Sequence, residues 1–104
     1  MHYLLIYDVV DDYVERRQPH REEHLRLAQE FVDRGELELG GALDRPVDQA
    51  VLLFRANDPK PIHEFVLKDP YIRFGLVKSW RIRPWMTVVG KNAQVPIPPP
   101  TAGS

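Results

Sequence analysis

The chain opens with a short apolar stretch that reads YLLIYDVV over residues 3–10. Aromatic and β-branched residues dominate it, it is too short for a typical helix, and two aspartates follow it, so it predicts a strand. Its apolar residues occupy both alternating sets of positions, with Leu4 and Ile6 on one side and Leu5 and Tyr7 on the other. A strand of this kind is typical of a sheet that is covered on both faces.

Five further elements follow along the chain. The pattern predicts, in order, a helix over residues 19–34, strands over residues 37–43 and 50–56, a helix over residues 57–68 and a last strand over residues 77–89. Pro19 suits a first helical turn, and Gly35 suits a C-terminal stop. Gly40 and Gly41 indicate a bulge or a close backbone approach in the second strand. Pro84 cannot donate to a ladder, which indicates a bulge or a sheet edge in the last strand.

The order β-α-β-β-α-β is the split, ferredoxin-like arrangement of the α+β class, with both helices on one face of an antiparallel sheet. Two short helices cover one face only. The apolar side chains of the other face would form a larger exposed patch than soluble monomers usually carry. We therefore predict a homodimer that packs through this sheet face. Residues 1–90 are predicted to form the domain, and residues 91–104 an extended Pro-rich C-terminal tail.

The composition excludes several classes of protein. The 104 residues suffice for about one domain. Fourteen Lys and Arg against fifteen Asp and Glu leave a net charge of −1, without the basic footprint of a nucleic-acid-binding protein. No apolar run reaches the roughly 20 residues that span a membrane, no signal-type stretch opens the chain, and cysteine is absent. We expect a cytoplasmic protein without nucleic-acid or membrane partners.

Two polar residues interrupt the apolar side of the first predicted helix. Arg21 and His24 are one turn apart, and on a helical wheel they fall in the same inward sector as the apolar residues Leu25, Ala28, Phe31 and Val32. A cation in the first turn of a helix interacts unfavourably with the helix dipole, at a cost of about 0.3–1 kcal/mol, so an inward arginine indicates an anionic partner. The alternatives are a histidine that is hydrogen-bonded at the core margin and an arginine that reaches outward to solvent.

Asp69 is the second candidate, and it has a structural role available. An aspartate directly before Pro70 is a natural N-cap with the proline at the first helical position. This role does not exclude a second one. His20 and His24 have a spacing that can bind a metal, but no fixed carboxylate accompanies them and the HExxH pattern is absent, so we predict no metal site.

The chain resembles the YciI-like family of YCII-related domains over about residues 1–90. The resemblance is carried by the opening strand and by spaced motifs, which are Arg21-x-x-His24-Leu25 leading to Gly35, then Gly40-Gly41, Asp69-Pro70-Tyr71 and Gly75. It implies a dimeric α/β barrel built from ferredoxin-like chains. It also implies an active site on the family's histidine and aspartate, which match His24 and Asp69, with Arg21 as the matching arginine. Some relatives look like lyases of the breakdown of chlorinated aromatic compounds.

We therefore predict a small-molecule enzyme of the lyase or isomerase type, acting on an aromatic or enolisable substrate. Asp69 would hold one imidazole nitrogen of His24, His24 would transfer the proton, and Arg21 would neutralise an oxyanion or carboxylate. Tyr7 and Tyr71 are expected to form walls of the substrate pocket. No nucleotide-binding motif occurs, and we predict no cofactor.

The alternative is a non-catalytic dimeric module that binds a small ligand or another protein. The inward arginine and histidine would then anchor that ligand, or they would form a buried ion-pair network. The two hypotheses differ in geometry. A contact between His24 and Asp69 beside an open pocket favours catalysis, whereas a closed and fully packed contact favours a structural role.

Overall fold

Four antiparallel strands form one sheet in the computed structural model, which describes residues 1–97. The strands are β1 (His2–Val9), β2 (Leu37–Ala42), β3 (Gln49–Arg55) and β4 (Val77–Trp85). The helices are α1 (Tyr13–Arg16), α2 (Arg21–Asp33), α3 (Lys60–Lys68) and α4 (Pro70–Arg73), with a 3₁₀ turn at Gln18–His20.

The strands lie in the order β2-β3-β1-β4, and every neighbouring pair is antiparallel. This order follows when each helix returns the chain across the sheet and β2 and β3 form a hairpin. The predicted α+β class and ferredoxin-like topology are therefore confirmed. β1, the stretch quoted at the start, is central and pairs with both β3 and β4.

The helices cover only one face of the sheet. Along β1, Leu5 and Tyr7 are fully buried beneath the helices, whereas Leu4 and Ile6 on the opposite face are half-buried. The core lies between the sheet and the helices. Its buried apolar residues are Tyr3, Leu5, Tyr7, Val9, Tyr13, Leu27, Phe31, Leu37, Ala50, Leu52, Phe54, Ile62, Phe65, Val66, Tyr71 and Leu76.

The first long helix begins two residues later than predicted and is rotated from the predicted orientation. Residues 18–20 form the 3₁₀ turn, and α2 begins at Arg21. Leu27 and Phe31 are buried against the sheet, while Leu25 and Val32, expected to face inward, are 49% and 44% exposed. Leu25 and Val32 border a cavity between α2 and β2 instead of packing against the sheet.

Gly35 ends α2 as predicted. Its φ of 78° lies in the left-handed region that favours glycine. The N–H of Glu36 donates to the carbonyl of Phe31 at 3.0 Å, and the N–H of Gly35 donates to the carbonyl of Val32 at 2.9 Å. This pair of bonds is the Schellman motif, which satisfies carbonyls that the helix end leaves free.

The last strand ends at Trp85, four residues earlier than predicted. β1 begins at His2, opposite Trp85, so no neighbouring strand is available to pair with later residues. Pro84 lies in β4, an edge strand, as its lack of an N–H requires. Beyond Trp85 the backbone folds back, and the N–H of Val95 donates to the carbonyl of Thr87 at 3.0 Å. Part of the predicted tail, residues 98–104, lies outside the described residues.

Candidate active site

Asp69 is held at the junction of α3 and α4. Its backbone is extended, with φ −72° and ψ 119°, because the following Pro70 disfavours the helical region. Its side chain caps α4, and Oδ1 accepts the backbone N–H of Tyr71 at 3.0 Å. The predicted N-cap is therefore present. The carboxylate is also fully buried, so its remaining acceptor positions need partners from inside the protein.

Two side chains supply those partners. His24 Nδ1 lies 2.8 Å from Asp69 Oδ1, and the Tyr7 hydroxyl donates to Asp69 Oδ2 at 2.7 Å. Both oxygens of Asp69 thus act as acceptors, as an ionised carboxylate does. The proton of the neutral His24 ring is consequently on Nδ1, and Nε2 carries the free lone pair.

The His24 ring is fixed by aromatic packing as well as by Asp69. It stacks on Tyr71 with ring centroids 3.8 Å apart and an interplanar angle of 5°, and it meets the edge of Phe65 at 6.1 Å. The His24 side chain is 14% exposed, and Nε2 makes no hydrogen bond within residues 1–97. The ring is therefore immobilised while one nitrogen remains available to a ligand.

A cavity of about 360 Å³ lies beside this ring, between α2 and strands β2 and β3. It contains four of the predicted site residues on its wall: Tyr7, Arg21, His24 and Tyr71. Asp69 lies behind His24 and is not on the wall. The structure thus brings all five predicted residues together, with His24 between the buried carboxylate and the open cavity.

Burial alters the acidity of two phenols at the site. Removal from water raises the pKa of Tyr7 well above its ordinary value, and the adjacent Asp69 carboxylate raises it further. Burial likewise raises the pKa of Tyr71 to about 12. Both hydroxyls therefore keep their protons at neutral pH. The Tyr7 hydroxyl donates to Asp69, whereas the Tyr71 hydroxyl makes no hydrogen bond within residues 1–97.

Tyr13 and Arg17 also line the cavity, and the sequence reasoning missed them. The Arg17 guanidinium lies over the Tyr13 ring at 5.2 Å from its centroid. Their spacing was the available signal, because Tyr13, Arg17 and Arg21 are each four residues apart. The sequence pattern predicts no helix before Pro19, so this spacing alone does not place the three residues on one face.

A buried histidine also lies at the start of β1, where its position near the terminus gave no sign of burial. His2 is 2% exposed, and its Nδ1 lies 2.8 Å from Thr87 Oγ1 while its Nε2 lies 2.9 Å from Glu38 Oε2. A cavity of about 490 Å³ adjoins it on the opposite sheet face. Both ring nitrogens of His2 are engaged, so His2 has no free nitrogen for proton transfer. His24 is therefore the better catalytic candidate.

No metal-binding arrangement occurs within residues 1–97. Three or more histidine, aspartate or glutamate side chains come together at no point of that range. His20 and His24 also diverge, because His20 stacks on Phe74 at 4.1 Å and His24 stacks on Tyr71. Among the helices of the same range, none is long and apolar enough to cross a membrane.

Comparison with known proteins gives one family match and several similar folds. The model of the YCII-related domain matches residues 1–86. A 5-chloro-2-hydroxyhydroquinone dehydrochlorinase from Burkholderia phenoliruptrix, solved in complex with 2,5-dihydroxybenzoquinone, superposes with a TM-score of 0.70 at 19% identity, covering 84% of this chain and 95% of that one. A protein from Agrobacterium tumefaciens superposes with a TM-score of 0.58 at 12% identity, with coverages of 91% and 99%.

A NIPSNAP family protein from the same organism gives a TM-score of 0.51 at 17% identity, covering 79% of this chain and 87% of that one. No curated protein matches the sequence. At these identities the similar structures establish the fold alone.

Proposed function

The chain belongs to the family of YCII-related domains, and on that premise we propose that it is an enzyme that acts on a small molecule by general acid–base chemistry. The observation that carries the proposal is the position of His24. Asp69 holds one ring nitrogen at 2.8 Å, and the ring lies on the wall of an open cavity of about 360 Å³. A purely structural contact would be closed on all sides.

His24 Nε2 is the proposed general base. Its lone pair takes a proton from the substrate, and the resulting imidazolium is stabilised by the Asp69 carboxylate at Nδ1. Tyr7 is a positioning residue, because its hydroxyl holds the other oxygen of Asp69 and so fixes the direction of the carboxylate. Arg21, on the cavity wall, neutralises the negative charge that develops on a substrate oxygen.

The reaction type that fits this arrangement is an elimination or an isomerisation. In an elimination, His24 takes a proton from a ring hydroxyl or from the sp3 carbon of a keto tautomer, the electron pair of that broken bond forms a new double bond, and the leaving group departs with its bonding pair. In an isomerisation, the imidazolium returns the proton to a different atom of the substrate. The similar fold of the 5-chloro-2-hydroxyhydroquinone dehydrochlorinase supports an aromatic or enolisable substrate.

The test uses that chlorinated hydroquinone and a panel of enolisable ketones and keto acids. Chloride release is measured with an electrode, and exchange of substrate hydrogen for solvent deuterium is measured by NMR. We expect His24→Gln to lower the rate by about 10²–10⁴, the usual contribution of a general base. His20→Gln is the matched control, since His20 is on the same stretch of chain but outside the cavity.

Two results would count against the proposal. Equal rates for the wild type and His24→Gln would remove His24 from the mechanism. No reaction with any compound of the panel would favour the non-catalytic binding module.

We also infer that the chain forms a homodimer through the open sheet face. The central side chains of that face are apolar and only half-buried, and they are Leu4, Ile6, Val51 and Leu53. The helices lie on the other face and leave these side chains to water. A second copy, packed sheet to sheet, would cover them and so complete an α/β barrel.

A further inference from the structure

Two arginines of the cavity have no acidic partner. Arg17 and Arg21 both lie on its wall, and neither guanidinium is within 4.0 Å of a carboxylate oxygen in the range 1–97. Six of the other eight arginines are paired, for example Arg26 with Glu22 at 2.8 Å and Arg73 with Glu23 at 2.7 Å, and the remaining two, Arg55 and Arg83, lie outside this cavity. The cavity therefore holds two uncompensated positive charges beside His24.

The acidic residue on the cavity wall does not compensate them. Glu38 is the carboxylate of this wall, and its Oε2 lies 2.9 Å from His2 Nε2, on the opposite face of the sheet. Asp69 is behind the His24 ring and is already held by three donors. Both guanidinium groups are therefore free to pair with an anionic ligand in the cavity.

Two buried donors at this site also lack an acceptor. The hydroxyl of Tyr71 and Nε of Arg17 are both buried and make no hydrogen bond. Tyr71 is only 1% exposed, and its phenol keeps its proton, so its hydroxyl is a donor. A buried donor without a partner costs about 1–3 kcal/mol, and an arginine cannot accept from a tyrosine.

Arg17, Arg21 and Tyr71 all lie on the wall of this cavity. The positive charges of Arg17 and Arg21 act on the phenols of both Tyr71 and Tyr13, partly opposing the effect of burial on their pKa values. The Arg17 guanidinium lies over the Tyr13 ring, and its side chain is half-buried on the cavity wall, so it is accessible to a ligand in the cavity. An oxygen atom placed there would accept from the two unpartnered donors and meet both charges.

We propose that Arg17, Arg21 and the Tyr71 hydroxyl form an anion subsite that receives the carboxylate or phenolate oxygen of a small planar ligand next to His24. This inference rests on the proposed function, because it concerns the same cavity. It adds that the ligand binds as an anion and that Arg17 determines this preference. A negative oxygen held by these donors would also be stabilised while His24 removes a proton.

The first test compares two compounds that differ in charge at one oxygen. 4-Nitrophenolate, at a pH where it is ionised, and neutral 4-nitroanisole share the same ring, and their binding is followed by absorbance or calorimetry. We expect the wild type to bind the phenolate at least tenfold more tightly, which is about 1.4 kcal/mol. Arg17→Gln should reduce this preference below about threefold, and Tyr71→Phe should reduce it partly. Arg26→Gln is the matched control, because it removes a charge from the exposed side of α2. This variant should keep the preference for the phenolate.

A second pair of compounds distinguishes the two oxygen chemistries. Benzoate carries a carboxylate and benzamide is its neutral counterpart. A preference for benzoate over benzamide assigns the subsite to carboxylates, and a preference for the phenolate alone assigns it to phenolates. Equal affinity within both pairs, no saturable binding of either anion, or a full preference retained by Arg17→Gln would overturn the proposal.

The catalytic proposal and the subsite can fail separately. His24→Gln tests catalysis and leaves Arg17 and Tyr71 in place, so the anion preference should survive in that variant. If His24→Gln keeps full activity while Arg17→Gln loses the anion preference, the subsite stands and the acid–base role falls. If His24→Gln is inactive and the wild type binds both compounds of each pair equally, the acid–base role stands and the subsite falls.

Discussion

Replacing Tyr7 by phenylalanine removes one oxygen atom from the core and leaves Asp69 Oδ2 without its donor. The Tyr7 hydroxyl donates to that oxygen at 2.7 Å, and both side chains are fully buried. Phenylalanine keeps the ring in place, so the substitution opens almost no cavity. Its effect should therefore come from the lost hydrogen bond and from the buried carboxylate oxygen that water cannot reach.

The expected cost follows from the kind of bond removed. A hydrogen bond to a charged group contributes about 1.5–3 kcal/mol, and Asp69 loses one of three donors. We expect the free energy of unfolding to fall by about 2 kcal/mol. For a domain of this size each kcal/mol lowers Tm by about 4–8 °C, so Tm should fall by roughly 8–16 °C.

The assay is urea and thermal denaturation followed by circular dichroism at neutral pH and at one protein concentration, since oligomers melt at concentration-dependent temperatures. Tyr3→Phe is the matched control. Tyr3 is on the same strand and face, is 7% exposed, and its hydroxyl has no hydrogen bond within residues 1–97. The free energy of unfolding of Tyr3→Phe should therefore stay within about 0.5 kcal/mol of the wild type. A Tyr7→Phe protein that is no less stable than Tyr3→Phe would refute the assignment of Asp69 as a buried, hydrogen-bonded carboxylate.

Three further predictions concern pH, assembly and the helix end. Because burial raises the pKa values of Tyr7 and Tyr71 above 10, the folded chain retains phenol protons that the unfolded chain loses above that pH. These two phenols should leave stability unchanged below about pH 10 and lower it above that pH by up to about 1.4 kcal/mol per pH unit each; stability unchanged from pH 10 to 12 would contradict this. Light scattering of the wild type should give twice the monomer mass, and the Ile6→Asp variant, which places a charge on the open sheet face, should give the monomer mass. A monomeric wild type would contradict the proposed interface. Gly35→Ala should cost about 1 kcal/mol by denaturation because of the φ of 78° at that position, and an unchanged or higher stability would argue against the left-handed helix end.

Most of the fold was predictable because its signals are local. Short apolar runs rich in β-branched and aromatic residues identified β1 and β3 within residues 3–10 and 50–56, since such residues fit the pleated surface of a sheet. Gly35 and Pro70 set two boundaries through backbone sterics alone. These effects act between neighbouring residues, so the sequence carries them directly.

The orientation of α2 was less predictable. Leu25 and Leu27 are both apolar, and a helical projection does not distinguish the residue that packs on the sheet from the one that borders a cavity. That choice depends on the shape of the surface that the helix meets. The end of β4 was missed for a similar reason, because Trp85 is the last residue with a partner on β1.

For the site, the sequence determined which residue types were available: an inward arginine and histidine on one helix, and an aspartate that caps another. Only the tertiary structure decided that His24 and Asp69, 45 residues apart, meet at 2.8 Å and that Tyr7, 62 residues from Asp69, completes the contact. The tertiary structure also placed Tyr13 and Arg17 on the wall of the cavity beside His24. Hydrogen-bond contact requires positions accurate to a few tenths of an ångström. Such accuracy comes from sheet register, helix rotation and core packing acting together, and no local pattern in the sequence encodes it.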